Sequence, residues 1–434
     1  MEPGYLRIEP EQLTEGLRGM MTVYYGEGEW LRLYKETEEG VYVPRTFWTR
    51  FEQEPEVSLG ADNEVFKEDD PIGLRQDQAP AAEAVCQVLA KKWGTILVAP
   101  CGTGKTVMAL EVIRRFALPT LVIVHKTFLV DQWTERAKEF LPNAKVGIWR
   151  QDRCDSGKDH DLVIAFVQTL TSKREYPPEV YKSFGMVVTD EVHRFAAPIW
   201  QKAIVKFPAK YRLGLTATPD RRDGLQGVFL AHIGSIGFTL KDTRLTGLRV
   251  YRVNLSTTLD PKVYTFPYNG KINFAKLTTL LASSESRTKH LVHYIVRAVK
   301  ADRTVLVLTE RLKQVAAIMQ GVKEDAPSGK RVAKFVGGMT KEQQAVATKA
   351  DVIVATYQIA QEGLDIPRLD TVFLATPKTN IVQSVGRILR PSCDKQLPVV
   401  MDFVDEKIPV LQGFWFARVK RYKSIGAKVG GSKG

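Results

Sequence analysis

Cysteine is scarce in this chain: Cys86, Cys101, Cys154 and Cys393 are its four in 434 residues, with no C-x-x-C pair and no histidine cluster beside them. Such scatter excludes a disulfide framework or a structural zinc site as the organising principle and points to reduced thiols in a cytosol. Long hydrophobic runs are missing too. None approaches the roughly 18 residues that a bilayer-spanning helix needs. The opening residues, MEPGYLRIEP, lack the basic-then-apolar order of a secretory signal. The chain is therefore expected to stay in the cytoplasm, with no membrane partner. Short-period repeats and low-complexity tracts are absent as well, apart from a Gly/Lys/Ser tail over 426–434 that is expected to be mobile.

What is present is ordinary apolar material and an uneven charge. Hydrophobic residues make up 44% and charged residues 26%, enough for buried cores. At roughly 150 residues per domain the length accommodates about three domains. Lys and Arg number 62 against 49 Asp and Glu, a net of +13. Residues 1–70 hold 7 basic against 17 acidic residues, net −10, so the remainder carries 55 against 32, net +23. A basic body suits a polyanionic partner, because cations near phosphates release condensed counterions. A merely lysine-rich, soluble surface has the same balance. The acidic segment suits phosphate contacts poorly, which leaves a substrate-shaping or regulatory module, or a stabilising cap on the first core domain.

Residues 1–70 carry short alternating runs, TVYYG (22–26), WLRLYKE (30–36) and GVYVPRTFW (40–48), and read as a small β-rich domain with a helix near 10–19. The acidic stretch 52–71, with Pro55 and Pro71, reads as a linker. From 71 to 243, continuous apolar runs at 95–99, 120–125, 161–167, 186–190 and 211–217 alternate with helix candidates such as 106–117, 128–140 and 198–206. Strands buried on both faces read this way, and the alternation predicts βαβ units with a parallel sheet. The pattern recurs over 244–434, with strands expected at 303–310, 331–337, 351–356, 371–376 and 398–404. The predicted class is α/β: two tandem domains with parallel sheets, plus the small β-rich N-terminal domain.

Strand TILVA leads into Ala99-Pro-Cys-Gly102-Thr103-Gly104-Lys105-Thr106 and then an apolar helix, the strand–loop–helix setting of a phosphate-binding loop. Gly102 and Gly104 let backbone N–H groups close round phosphates at a helix N-terminus. Lys105 is expected at the β- and γ-phosphates and Thr106 on Mg²⁺, so ATP and Mg²⁺ are the implied ligands. After the apolar run MVV comes Thr-Asp190-Glu191-Val-His193. Asp190 is expected on Mg²⁺ through water, and Glu191 as the group that orients and activates the attacking water.

With these motifs in place the chain resembles the superfamily 2 helicases of the DEVH-box kind over about 72–405. Leu74-Arg75-Gln-Asp-Gln78 is similar to the family's L-R-x-x-Q element, which implies adenine contacts for Gln78 and Arg75. Thr216-Ala-Thr218 matches the T-A-T motif, which with His193 implies coupling of ATP state to nucleic-acid grip. Thr356 through Gly363-Leu-Asp365 resembles motif V, placing Gly363 and Asp365 at the nucleotide, and Gln383-Ser-Val-Gly-Arg387-Ile-Leu-Arg390 resembles motif VI. On a helix Gln383, Arg387 and Arg390 recur at i, i+4 and i+7 and face one way. That face is expected to look across the cleft between RecA-like domains, with the arginines stabilising transition-state charge.

Weaker matches are Lys126-Thr127 and Gln168-Thr169-Leu-Thr171 after first-half strands, and Arg311 and Gly337-Gly338 in the second half. With Thr356 they are candidate nucleic-acid contacts, and each is equally compatible with a turn or cap. Following the T-A-T motif, Arg221-Arg222-Asp223 stands where XPB-type helicases carry Arg-Glu-Asp, with Arg222 in the place of the Glu. Near the end, Trp415, Val419 and Tyr422 form a packing stripe with Arg418, Lys420 and Arg421 on its wet face. The resemblance is to XPB-type and phage UvsW-like branch-migration helicases, implying ATP-dependent remodelling of branched or forked DNA in replication, recombination or repair. An RNA-dependent ATPase and an ATP-gated duplex clamp that does not translocate are the alternatives.

Overall fold

The computed structural model describes residues 3–25, 29–60, 63–68, 70–100, 102–196, 198–219, 221, 223–240, 247–362, 366–379, 381 and 396–431. They form two units, Met1–Lys241 and Asp242–Gly434. In the first, strands β1 (Tyr5–Ile8), β4 (Lys35–Thr37) and β5 (Gly40–Pro44) make a small antiparallel sheet, and β2 (Thr22–Tyr25) pairs with β3 (Glu29–Arg32) as a hairpin. The larger sheet comprises β6 (Gly94–Val98), β7 (Thr120–Val124), β8 (Val146–Arg150), β9 (Arg153–Cys154), β10 (Leu162–Phe166), β11 (Met186–Asp190), β12 (Tyr211–Thr216) and β13 (Ile236–Thr239). Its order is β13-β6-β12-β11-β7-β10-β8-β9, parallel throughout except for β9.

Why these runs are strands is visible in their burial. Every residue of β6, β7 and β11 is buried, and side chains alternate between the two faces. Ile96, Leu121, Ile123, Val163 and Val187 enter one core, while Leu97, Val122, Ile164, Met186 and Val188 enter the other. Helices Ala79–Lys92, Lys105–Phe116 and Thr127–Phe140 cover the second face.

The N-terminal segment completes the first face. Tyr5, Leu6, Ile8, Val41 and Val43 share a core with Val205, Phe207 and Phe229. Gly4 N donates to Val205 O (2.7 Å), and the buried Arg45 guanidinium donates to the carbonyls of Pro208 and Lys210 (3.0 Å each) and of Ala209. Trp48 stacks on Trp93 at 4.3 Å. The segment is thus packed onto the first domain, an arrangement that either of its two expected roles can use. The stretch expected to be a linker is stapled down instead: Ser58 exchanges backbone hydrogen bonds with Pro208 and Lys210, and Phe66 is wholly buried. One backbone pairing and one apolar anchor among acidic residues outweigh the composition.

The second unit contains β14 (Arg249–Leu255), β15 (Val305–Thr309), β16 (Val332–Phe335), β17 (Val352–Thr356), β18 (Thr371–Leu374), β19 (Val399–Asp405) and β20 (Lys428–Gly431). They form a fully parallel sheet of order β16-β17-β15-β18-β19-β14-β20. β20 corrects the expectation of a mobile tail, because the open edge of β14 offers it a ladder. Arg418 corrects another: it is 2% exposed, not on a wet face. Its Nε and Nη2 donate to Asp402 (2.7 and 2.8 Å), to which Tyr422 Oη also donates (2.9 Å). On the opposite face of β19, Asp405 accepts from the fully buried Arg287 (3.1 Å). One strand thus pins the helix Pro409–Ser424 on one side and Glu285–Lys300 on the other. Among the described residues no helix is long and apolar enough to cross a membrane.

The first unit carries a built-in acid sensitivity. Burial, with the Arg212 guanidinium nearby, pushes the His232 imidazole down to about 3, and burial does the same to His125. Both stay neutral in the fold, while the unfolded chain takes up protons below about 6.5. Stability is therefore lost as pH falls from about 6.5 towards 3, at about 1.4 kcal/mol per pH unit for each group. Urea unfolding at pH 7 and pH 5 should show a lower midpoint in acid, and His232→Phe should lose less between the two. An identical acid loss in wild type and variant would place the effect elsewhere.

Candidate active site

Three neighbouring strand ends build the site. β12 lies between β6 and β11, with Thr216 opposite Val98 and Leu215 opposite Asp190, so the loops leaving all three converge at the carboxyl edge of the sheet. After β6 the chain turns through Gly102 (φ +75°) and Gly104 (φ +87°) into the helix beginning at Lys105. The positive φ of Gly104 favours glycine, and a Cβ there would lie 2.3 Å from Gln78 Nε2 and displace that amide. Lys105 Nζ donates to Ala99 O (3.1 Å), and Thr103 Oγ1 donates to Pro100 O (2.7 Å). Gln78 and Arg75 grip this loop from behind. Gln78 Nε2 and Arg75 Nη2 both donate to Thr103 O (2.7 and 2.6 Å), and Gln78 Oε1 accepts from Arg75 N (3.0 Å). Thr106 follows Lys105 in the first helical turn.

Asp190 ends β11 almost out of reach of solvent. Its Oδ2 accepts from Trp133 Nε1 (3.0 Å) and its Oδ1 from Glu191 N (2.9 Å). Burial, then the neighbouring Glu191 charge, pushes its carboxyl up to about 6, against the pull of Trp133 and Lys105. Glu191 has left-handed backbone (φ +53°), a conformation that costs a non-glycine residue on the order of 1 kcal/mol or more and clusters at functional sites. Its Oε2 is buried and receives no hydrogen bond; the closest donor candidate, His193 Nδ1, stands 3.4 Å away. Burial holds His193 below its usual range, so the contact is with a neutral ring. The same Nδ1 is 2.9 Å from Thr216 Oγ1, and Thr216 Oγ1 accepts from Thr218 N (3.1 Å). The carboxylate and the T-A-T turn are therefore linked through one imidazole.

This donor set fits Mg²⁺ better than a metal that takes an all-protein cage. Among the described residues no three His, Cys, Asp or Glu side chains gather. Magnesium is typically held by one or two carboxylates together with waters and substrate phosphates. The buried Asp190 carboxyl, raised towards protonation beside the Glu191 carboxylate, gains from a cation.

The candidate nucleic-acid residues are brought together in part. Lys126, whose ammonium is held below its usual range by burial and Arg194, immediately precedes the helix Thr127–Phe140 without capping it through its side chain, and Gln168 Nε2 donates to His125 O (3.2 Å). Thr169 and Thr171 serve the backbone, accepting from Gln151 N (3.2 Å) and donating to Val167 O (3.0 Å). Arg221 pairs with Asp223 (2.8 Å) in a turn. In the second unit, Arg311, Gly337 and Thr356 line one cavity of about 450 Å³ with Glu310, Tyr357 and Lys378. Gly338 follows at φ +81°. Gly363, Asp365, Gln383, Arg387, Arg390 and Arg222 lie outside the described residues.

Residues 71–221 match the family model "Type III restriction enzyme, res subunit", and residues 286–392 match "Helicase conserved C-terminal domain". A protein of Acanthamoeba polyphaga mimivirus named "Putative ATP-dependent RNA helicase L396" is 31% identical over 386 residues, spanning 88% of this chain and 74% of the relative. The chain belongs to the superfamily 2 helicases. Its two units are the RecA-like domains of that family, which implies use of ATP. The solved structure "ATP-dependent Type ISP restriction-modification enzyme LlaBIII bound to DNA" shares this helicase fold over 83% of the chain and 32% of its own, at 16% identity and TM-score 0.59. T4 UvsW aligns over 99% of the chain and 98% of its own at 17% identity, but with a TM-score of 0.39.

Trp133 is the residue whose role sequence reading missed. It sits on the apolar stripe of its helix with Leu129, Val130 and Ala137, and a fully buried indole N–H needs an acceptor. Trp133→Phe removes that N–H with little other change. It should raise the Mg²⁺ concentration for half-maximal ATPase about tenfold, in the range of lost outer-shell support, without a large change in thermal stability. An unchanged Mg²⁺ dependence would make the indole simple packing.

Proposed function

We propose that this helicase is a DEVH-box DNA motor of the XPB and UvsW-like kind, which uses Mg·ATP to remodel branched or forked DNA. The observation that carries the motor reading is the chain of contacts from Glu191 through His193 to Thr216 and Thr218, beside a phosphate loop on the adjacent strand end. In this reading Lys105 leaves Ala99 O for the β- and γ-phosphates, and Thr106 and Asp190 hold Mg²⁺. Bound Mg²⁺ neutralises charge on those phosphates. Glu191, whose Oε2 is buried without a donor, orients the attacking water and accepts its proton. Gly363 and Asp365, and the helix face of Gln383, Arg387 and Arg390, complete the nucleotide site, the arginines contributing about 10³-fold or more in rate. Arg75 and Gln78 read adenine from their place on Thr103 O, so nucleotide binding and loop geometry are joined.

The DEVH sequence and the Gln-led Gln383–Arg390 segment support DNA by resemblance, and the net +23 beyond residue 70 suits a nucleic acid of either kind. Branched substrates follow from economy of parts. Residues 240–300 leave room for only a short insertion, so that stretch supplies no extensive strand-separating element with which to open long plain duplexes. At a branch point each base pair broken is offset by one formed, and the motor only biases a nearly isoenergetic exchange. The printed name of the mimivirus relative favours a second reading, an RNA helicase.

Lys105→Ala and Glu191→Gln should each lower nucleic-acid-stimulated ATPase by at least about 10²-fold, with ATP binding retained in Glu191→Gln. Near-normal turnover in either would overturn the site. For substrate, ATPase stimulation by single-stranded, duplex, forked and four-way DNA and by RNA is compared, with gel assays on a junction, a fork and a blunt duplex of equal arm length. Junction migration with weak blunt-duplex unwinding is expected. Stimulation by RNA alone would establish the second reading, and action on the blunt duplex alone would show that branch migration is wrong.

A further inference from the structure

Between β14 and the helix Glu285–Lys300 the second unit carries an arm that the candidate site does not use. Its sequence from 261 to 284, PKVYTFPYNGKINFAKLTTLLASS, contains three lysines and no acidic residue. Asp260 and Glu285 flank it, and Asp260 is occupied in capping the turn Pro261–Val263 through Lys262 N (2.9 Å).

The arm is a built element rather than a loose loop. Tyr264, Leu277 and Leu281 are buried with Ile408 and Leu411 in a small core of their own. Thr265 and Ile272 form an antiparallel bridge, and Phe266 N donates to Lys271 O (2.8 Å). Gly270, at φ +65°, and Asn269, whose Oδ1 accepts from Lys271 N (3.0 Å), close a tight turn. Packing therefore holds Tyr268 at the tip, 78% exposed, beside Phe266 at 5.4 Å. Lys262, Lys271 and Lys276 are exposed around it. A large exposed aromatic held by a firm turn, on a segment that carries lysines and no acid, is the combination that takes a base on its face and phosphates on its flanks.

Arg311 ties the arm to the candidate contact cavity. Its Nη2 donates to Ala275 O (2.9 Å) and its Nε to Thr279 Oγ1 (3.0 Å), while it also lines the cavity with Thr356 and Gly337. A strand tracked along that cavity would meet the arm next.

We infer that this arm is a single-strand holder: Tyr268 stacks on an unpaired base, and Lys262, Lys271 and Lys276 take the phosphates of the same DNA strand. The inference rests on the DNA-motor reading. It adds to that reading a contact that distinguishes unpaired from paired nucleotides, since a base in a duplex has no free face except at its end.

The test uses the full chain and fluorescence anisotropy with labelled oligo(dT) and a blunt duplex of matching length. Tyr268→Ala should weaken oligo(dT) binding about tenfold, the effect of removing one stacking platform, and Tyr268→Trp should keep it. Duplex binding should be unchanged in both. Replacing Lys262, Lys271 and Lys276 together by Glu should lower the slope of log affinity against log salt for oligo(dT) by about two, as three lost phosphate contacts on a single strand require. DNA-stimulated ATPase at saturating DNA should keep its kcat in every variant. Wild-type oligo(dT) affinity and salt slope in the variants would overturn the holder, as would equal weakening on duplex. Failure of the underlying reading has a different signature, a wild-type ATPase that no DNA stimulates.

Discussion

The placing of β12 between β6 and β11 is the constraint on which the candidate site depends. Parallel strands all deliver their loops to one edge, and neighbouring strands are about 4.8 Å apart. The phosphate loop, the Asp190–Glu191 pair and the T-A-T turn can therefore meet although more than a hundred residues separate Thr106 from Thr216. Long loops are not needed to assemble them. The strand ends are held by hydrogen-bonded ladders with cores on both faces, so the geometry is inherited from the sheet.

Fine adjustment then comes from single polar contacts made in dry surroundings. Trp133 and the Glu191 amide each give a hydrogen bond to Asp190, and a buried carboxylate with fewer donors would be costly. The second unit uses the same device more heavily. Asp402 and Asp405, on opposite faces of β19, each hold a buried arginine, and losing one member of such a pair costs about 3–5 kcal/mol. The charges fix which helix turn faces which strand, a choice that apolar packing alone specifies less sharply.

Sequence patterns revealed what is local or periodic. Buried parallel strands announce themselves as unbroken apolar runs, and the phosphate loop as glycines between a strand and a helix. Contacts made across the fold left weaker traces. Arg418 looked like a solvated residue because its partner lies on another element, and Phe66 was hidden in an acidic stretch that composition marked as a linker. The strand Lys428–Gly431 has a glycine-rich sequence with little strand character; the open edge of β14 recruits it. Gln78 was legible as a special residue through its motif, but its hold on the Thr103 carbonyl is a tertiary fact.

The shared core of the N-terminal segment and the first helicase domain has a consequence for how the chain is made. Arg45 finds its carbonyl partners at a sequence separation of 163 to 165 residues, and Gly4 pairs with Val205. During synthesis the first strands leave the ribosome long before the residues that cover them. Non-local closure of this kind slows folding and leaves apolar surface open in the meantime. The nascent segment, with Tyr5, Leu6, Ile8 and Val43 uncovered, is the part of the molecule that most needs protection until translation passes Lys210. Its net charge of −10, of little use for gripping a polyanion, favours the separation of one nascent chain from the next.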